Sequence, residues 1–128
     1  MIKQPAEISK NIIASKYLIL SSAEKNHLND IGNGYNREFV KNGAKFIDYE
    51  DLYIKYGNKK AGEVINDTIE QNDIEVLIYH SGPTDFHFNI EFFKFLREKV
   101  FTVIMLGDTD NYFAERDIYY AQCMDLVV

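Results

Sequence analysis

The sequence predicts an α/β fold, a three-layer, Rossmann-like open parallel sheet of five strands in the order 2-1-3-4-5 with helices on both faces. Two observations carry that prediction. Short apolar runs of strand length alternate with stretches of helical periodicity, giving β-α-β-α-β-α-β-α-β with no repeat, low-complexity tract or linker. The runs are also continuous in their apolarity, which suits strands covered on both faces of a parallel sheet. Right-handed crossovers then oblige helices to lie on both sides.

The elements follow in order. Residues 1–15 read as an arm or short helix, with Ile8, Ile12 and Ile13 at helical spacing, and residues 16–128 as one domain. Tyr17-Leu18-Ile19-Leu20 is the first strand, ended by Ser21-Ser22. Tyr35, Phe39 and Val40 make a helical stripe that Asn33 can cap and Asn42-Gly43 closes. Residues 44–49 form the second strand, and residues 50–58 a loop. In the helix of residues 59–71, Ala61, Val64, Ile65, Thr68 and Ile69 share one face, and Lys60, Glu63, Asp67 and Glu70 take the other. Residues 74–79 form the third strand. A loop with Gly82-Pro83 leads to a helix over 89–99, whose Phe92, Phe93, Phe95 and Leu96 make a wide apolar face. Residues 101–106 are the fourth strand, 112–124 are mostly helical, and the fifth strand starts at Leu126.

Bulk properties narrow the function classes. The 128 residues are 46% hydrophobic and 14% aromatic, enough core material for a single ordered domain. A net charge of −6 leaves no basic face to displace counterions, which argues against nucleic acid. The single cysteine, Cys123, excludes an intrachain disulfide and a multi-cysteine zinc cage, and reads as a small buried hydrophobe. No signal peptide is visible, and no run approaches the roughly 18 to 20 apolar residues of a membrane span. The expected setting is the cytoplasm.

In such a sheet, ligands bind beyond the carboxyl ends of the strands, near the point where strand order reverses. Four loops therefore matter: residues 21–33, 50–58, 80–88 and 107–111. In the third, His80-Ser81-Gly82-Pro83 places an imidazole at a strand end. His80 there either takes up a proton or a sugar or phosphate hydrogen bond, or simply fills the sheet end against a backbone carbonyl. His87, between Phe86 and Phe88, reads as structural. In the fourth, Asp108 and Asp110 flank Thr109 after Gly107. They suit hydroxyl binding, general-base work or a hard cation, and equally a turn with a helix cap. Asp108, directly at the strand end, is the stronger functional candidate. Two oxygens make a poor cage, so no metal is expected, nor any cofactor.

Gly32-Asn33-Gly34 can offer backbone N–H groups to an anion, or can be a plain loop before a capped helix. It is no dinucleotide fingerprint, because Arg37 takes the third glycine's place. Asp48 and Glu50 stand where an acid can meet a ribose, though solvated acids are as common there. The acidic pair of a receiver pocket, a flavodoxin phosphate loop and a Walker A sequence are all missing. Asp85-Phe86-His87 departs from a cobalamin motif at Ile90.

Residues 92–128 carry a family resemblance. A helix with Phe93, Leu96 and Arg97 leads into the fourth strand, followed by Asp108-Thr109-Asp110, Tyr112-Phe113, Tyr120-Ala121 and Asp125-Leu126-Val127-Val128. This succession resembles the amino-terminal half of the CgeB-like (spore-maturation-type) glycosyltransferases of the GT-B fold, whose first lobe has an acidic-aromatic loop, a tyrosine-bearing helix and an Asp-apolar strand. The Gly32-Asn33-Gly34-Tyr35 loop and the third strand suit the same lobe, extending the likeness over 16–128. It departs from the family where Thr109 separates the two acids and where tryptophan is absent.

The resemblance implies an acceptor-side lobe, the nucleotide-sugar donor being held mainly by a second lobe that this chain lacks. Asp108 and then His80 would be the base, with Gly32, Asn33, Gly34, Ser81, Gly82 and Asp110 lining the substrate site. The alternative is a free-standing α/β module that binds a small ligand without catalysis. A third reading makes the phenylalanine-rich helix a pairing surface for a homodimer.

Overall fold

The computed structural model describes residues 16–21, 39–81, 88–106 and 118–128. Strands β1 (Tyr17–Ser21), β2 (Lys45–Asp48), β3 (Val76–Ser81), β4 (Phe101–Leu106) and β5 (Leu126–Val127) form one sheet in the order β2-β1-β3-β4-β5. Every pairing is parallel. Among the described residues the helices α1 (Tyr49–Gln71), α2 (Ile90–Arg97) and α3 (Ile118–Ala121) lie between them. The predicted order and all-parallel pairing are therefore those of the protein.

The sheet is dressed on both sides because its strands have no polar face to spare. On one side Leu18, Leu20, Leu77, Tyr79 and Ile104 meet Ala61, Ile65 and Ile69 of α1, Phe93 and Leu96 of α2, and Tyr120 of α3. On the other, Tyr17, Ile19, Val76, Ile78, Phe101 and Val103 pack with Ala44 and Phe39. Residues 39–41 are helical and end as the sequence predicts: Gly43 has φ 104°, and Ala44 N–H reaches back to the Phe39 carbonyl. Cys123 is buried, its thiol donating to the Tyr120 carbonyl.

Several boundaries differ from the sequence reading. The third strand runs over Val76–Ser81 rather than 74–79, so His80 and Ser81 are its last residues and not loop. Helix α2 covers Ile90–Arg97 rather than 89–99. The second strand stops at Asp48, and the expected loop over 50–58 is helical, since α1 begins at Tyr49. Asp48 causes this: its Oδ1 accepts the Asp51 N–H at 3.1 Å, and Glu50 and Asp51 place negative charge in the first turn. Within that stretch the helix kinks at Gly57, which has φ 81°, ψ 173°. In the last helix, the chain turns out of helical geometry after Ala121, short of Met124. Residues 112–117 lie outside the described residues, as do 1–15.

Gly57 gives a clean substitution test. A Cβ there would meet nothing within 4 Å, so any penalty comes from the backbone alone. That region of φ/ψ is essentially glycine-only and costs other residues about 1–3 kcal/mol. Gly57→Ala is expected to lower the free energy of urea unfolding by that amount, with an unchanged m-value.

The wide apolar face of α2 is only half used. Phe93 and Leu96 are buried and Phe92 partly so, whereas Phe95 remains 45% exposed, the Lys99 ammonium lying 4.6 Å from its ring centroid. At the sheet's other end, the Asp125 carboxylate is nearly sealed from water. It accepts from Arg97 Nε at 2.7 Å, from Thr102 N–H at 2.9 Å and from Thr102 Oγ1 at 3.1 Å. The Asp125-led motif of the sequence is, in this fold, the clamp that seats β5 beside β4.

Candidate functional site

Register, which no sequence pattern states, assembles the site. Ser21 pairs with Asp48 across β1 and β2, and His80 pairs with Met105 across β3 and β4. Leu20 pairs with Tyr79, so one further step along β1 and β3 puts Ser21 beside His80. Asp48, Ser21, His80 and Met105 thus form a transverse row at the carboxyl end of the sheet. Side chains alternate along a strand, so the row lies on the face of Ile19, Ile78 and Val103. Neighbouring strands are about 4.8 Å apart, which leaves Asp48 roughly 10 Å from His80 with Ser21 between them.

The row sits where the order of strands reverses. The connection from β1 runs outward to β2, and that from β3 runs the opposite way to β4. The end of the sheet between β1 and β3 is the usual ligand position in open α/β folds.

Each member of the row has a definite state. Ser21 is buried. Asp48 is a helix cap, its Oδ1 already accepting the Asp51 amide, which explains its place without a ribose. His80 differs. Its Nε2 is buried and finds no hydrogen-bond partner, and burial alone pushes the imidazole below the usual histidine range. Burial thus favours the neutral ring. An unpartnered buried nitrogen costs about 1–3 kcal/mol, a loss that a ligand hydroxyl would recover.

Among the predicted site residues, Ser81 closes β3 opposite Leu106, so β3 and β4 end level. Gly32, Asn33, Gly34, Gly82, Asp108 and Asp110 lie outside the described residues.

No protein-family model, no curated protein and no solved structure matches this chain. Its chemistry has to be read from its own residues. Among the described residues, no group of three His, Cys, Asp or Glu side chains is arranged to hold a metal ion. Nor is any helix among them long and apolar enough to cross a membrane.

Sequence reasoning named His80 but passed over Ser21 as a site residue. The available signal was positional. Ser21, Asp48 and His80 each stand at or next to the polar end of an apolar run, where parallel strands deliver their side chains to a shared rim.

Proposed function

We propose that this chain is the acceptor-side lobe of a GT-B-type glycosyltransferase, seating an acceptor hydroxyl between the carboxyl ends of β1 and β3. The observation that carries a ligand site is the unpartnered Nε2 of His80 at the reversal point of the sheet. A neutral imidazole either accepts a hydroxyl proton or donates to an oxygen, according to its tautomer. Both suit a polyol better than a phosphate, and no Lys or Arg stands in the row.

Sugar transfer itself comes from the resemblance of residues 92–128, with Asp108 as the first candidate for the base and His80 as the second. The nucleotide-sugar donor would be held mainly by the second lobe that the resemblance implies. This lobe on its own would hold acceptors weakly and transfer nothing.

The test follows His80 by NMR while the chain is titrated with simple methyl glycosides and, separately, with uridine diphosphate glucose. Glycosides are expected to shift the His80 imidazole and the Ser21 and Met105 amides at millimolar concentration, and His80→Ala to abolish those shifts. Tight binding of the nucleotide sugar, or glycoside shifts that survive His80→Ala, would refute the acceptor-side assignment.

Protonation supplies a further check. The folded-state pKa lies below the unfolded value of about 6.5, so the unfolded chain takes up the proton first as pH falls. The His80 contribution to stability is complete above pH 6.5 and erodes from there down to the folded-state pKa. His80→Gln is expected to flatten that part of the stability profile, and glycoside affinity to weaken only as pH falls below the folded-state pKa, where the folded imidazole itself takes up a proton.

A further inference from the structure

On the opposite face of the sheet, α1 and α2 enclose a groove of about 460 Å³. That is within the range of small-molecule sites, about 300–1,000 Å³. Its lining mixes two phenyl rings, Phe92 and Phe95, with three carboxamides, Asn58, Asn66 and Asn89. From this combination we infer a second binding site, for a neutral saccharide, on the α1/α2 face.

The chemistry of the lining selects the ligand. A sugar ring offers a flat array of C–H bonds, which suits a phenyl face, and a rim of hydroxyls that both donate and accept. Carboxamides answer that rim because each has both functions. Asn89 is held in place as the cap of α2: its Oδ1 accepts the Phe92 N–H at 2.9 Å, leaving the NH2 group for a ligand oxygen. Asn58 is oriented through its Nδ2, which donates to the Tyr53 hydroxyl at 3.1 Å. Asn66 is fixed by the Lys99 ammonium, which donates to its Oδ1 at 2.8 Å.

Charge argues for a neutral ligand. Lys99, which donates to Asn66 of the lining, is neutralised by Glu70 at 2.6 Å. Lys59 and Glu63, both in the lining, also offset each other. The groove therefore has no surplus sign with which to draw an anion or a cation.

The floor points the same way. Gly62 lies inside α1, where glycine costs about 1 kcal/mol relative to alanine. A Cβ there would stand 3.3 Å from Phe92 Cε1, so the missing side chain lets the ring lie against the helix and keeps the groove open. Phe95, half exposed, supplies the outer wall.

The site is independent of the acceptor crevice, and the experiment keeps the two apart. Methyl β-glucoside, methyl α-mannoside and N-acetylglucosamine are titrated in turn into the 15N-labelled chain, with inorganic phosphate as the anionic control. At least one sugar is expected to shift the amides of Gly62, Asn89 and Phe95 in wild type and equally in His80→Ala. Asn89→Asp keeps the helix cap but removes the NH2 donor, and Phe95→Leu keeps apolar bulk but removes the aromatic face. Each is expected to weaken that binding by about 10-fold or more, equivalent to about 1.4 kcal/mol, with unfolding midpoints close to wild type. Groove amides unmoved by all three sugars, equal affinity in both variants, or phosphate binding in place of sugar would each overturn the assignment.

Discussion

Phe93→Ala is expected to cost about 3–5 kcal/mol of folding free energy, the range for deleting a buried aromatic ring. Phe93 is fully buried, and its ring centroid lies 4.8 Å from Tyr79, 5.3 Å from Tyr120 and 5.7 Å from Phe92. Those rings come from β3, α3 and α2, so the cavity would open where three elements meet. Surrounding groups are poorly placed to collapse into it. Tyr79 is fixed in the central strand, and the Tyr120 hydroxyl is tied to the Phe88 carbonyl. A typical domain has only about 5–15 kcal/mol in hand. Urea titration should therefore show a midpoint reduced by roughly a fifth or more. A loss below about 1 kcal/mol would mean that this aromatic cluster is not the centre of the core.

Asp125→Ala is expected to be nearly as severe, at about 3–5 kcal/mol, for a different reason. The carboxylate is 4% exposed and accepts three hydrogen bonds, two of them from Thr102. Removal leaves the Thr102 amide without that acceptor and the Arg97 guanidinium without its partner, and breaking such a buried pair is strongly destabilising. Arg97→Ala should cost less, about 1 kcal/mol, because its side chain is partly solvated and Thr102 still holds the carboxylate. The measurement is the pair of unfolding free energies. Equal losses for both variants would show that the ion pair dominates and the Thr102 bonds do not.

The fold was legible because a parallel sheet writes itself as uninterrupted apolar runs. Leu18-Ile19-Leu20, Val76-Leu77-Ile78 and Val103-Ile104 can be strands covered on two sides and little else. The first turns of α1 were not legible. Tyr53, Ile54 and Tyr56 show no clear helical stripe, and Ile54 and Tyr56 are in fact exposed. What starts that helix is one carboxylate, Asp48, acting as a cap at the end of a strand that the sequence extends one residue too far.

The site was legible in part. A histidine following an apolar run announces itself, whereas the company it keeps depends on register. Ser21 and Asp48 reach the His80 row through pairings between residues as far as 59 positions apart, and local sequence does not encode that distance. Asp125 shows the converse. Its place in a family-like motif suggested kinship, and the structure gives it a mechanical task at the β4–β5 border.

The kink at Gly57 has a consequence for how this surface can change over time. It interrupts the amide ladder of α1, so the stretch from Tyr49 to Tyr56 and the stretch beyond it are two separately anchored rods. The inner rod is held by Ala61, Ile65 and Ile69 against the sheet, and the outer one by Tyr49, Leu52, the Tyr53 ring against Phe88 and the Asp48 cap. Substitutions along the outer rod can therefore reshape the mouth of the molecule without disturbing the foundation beneath it.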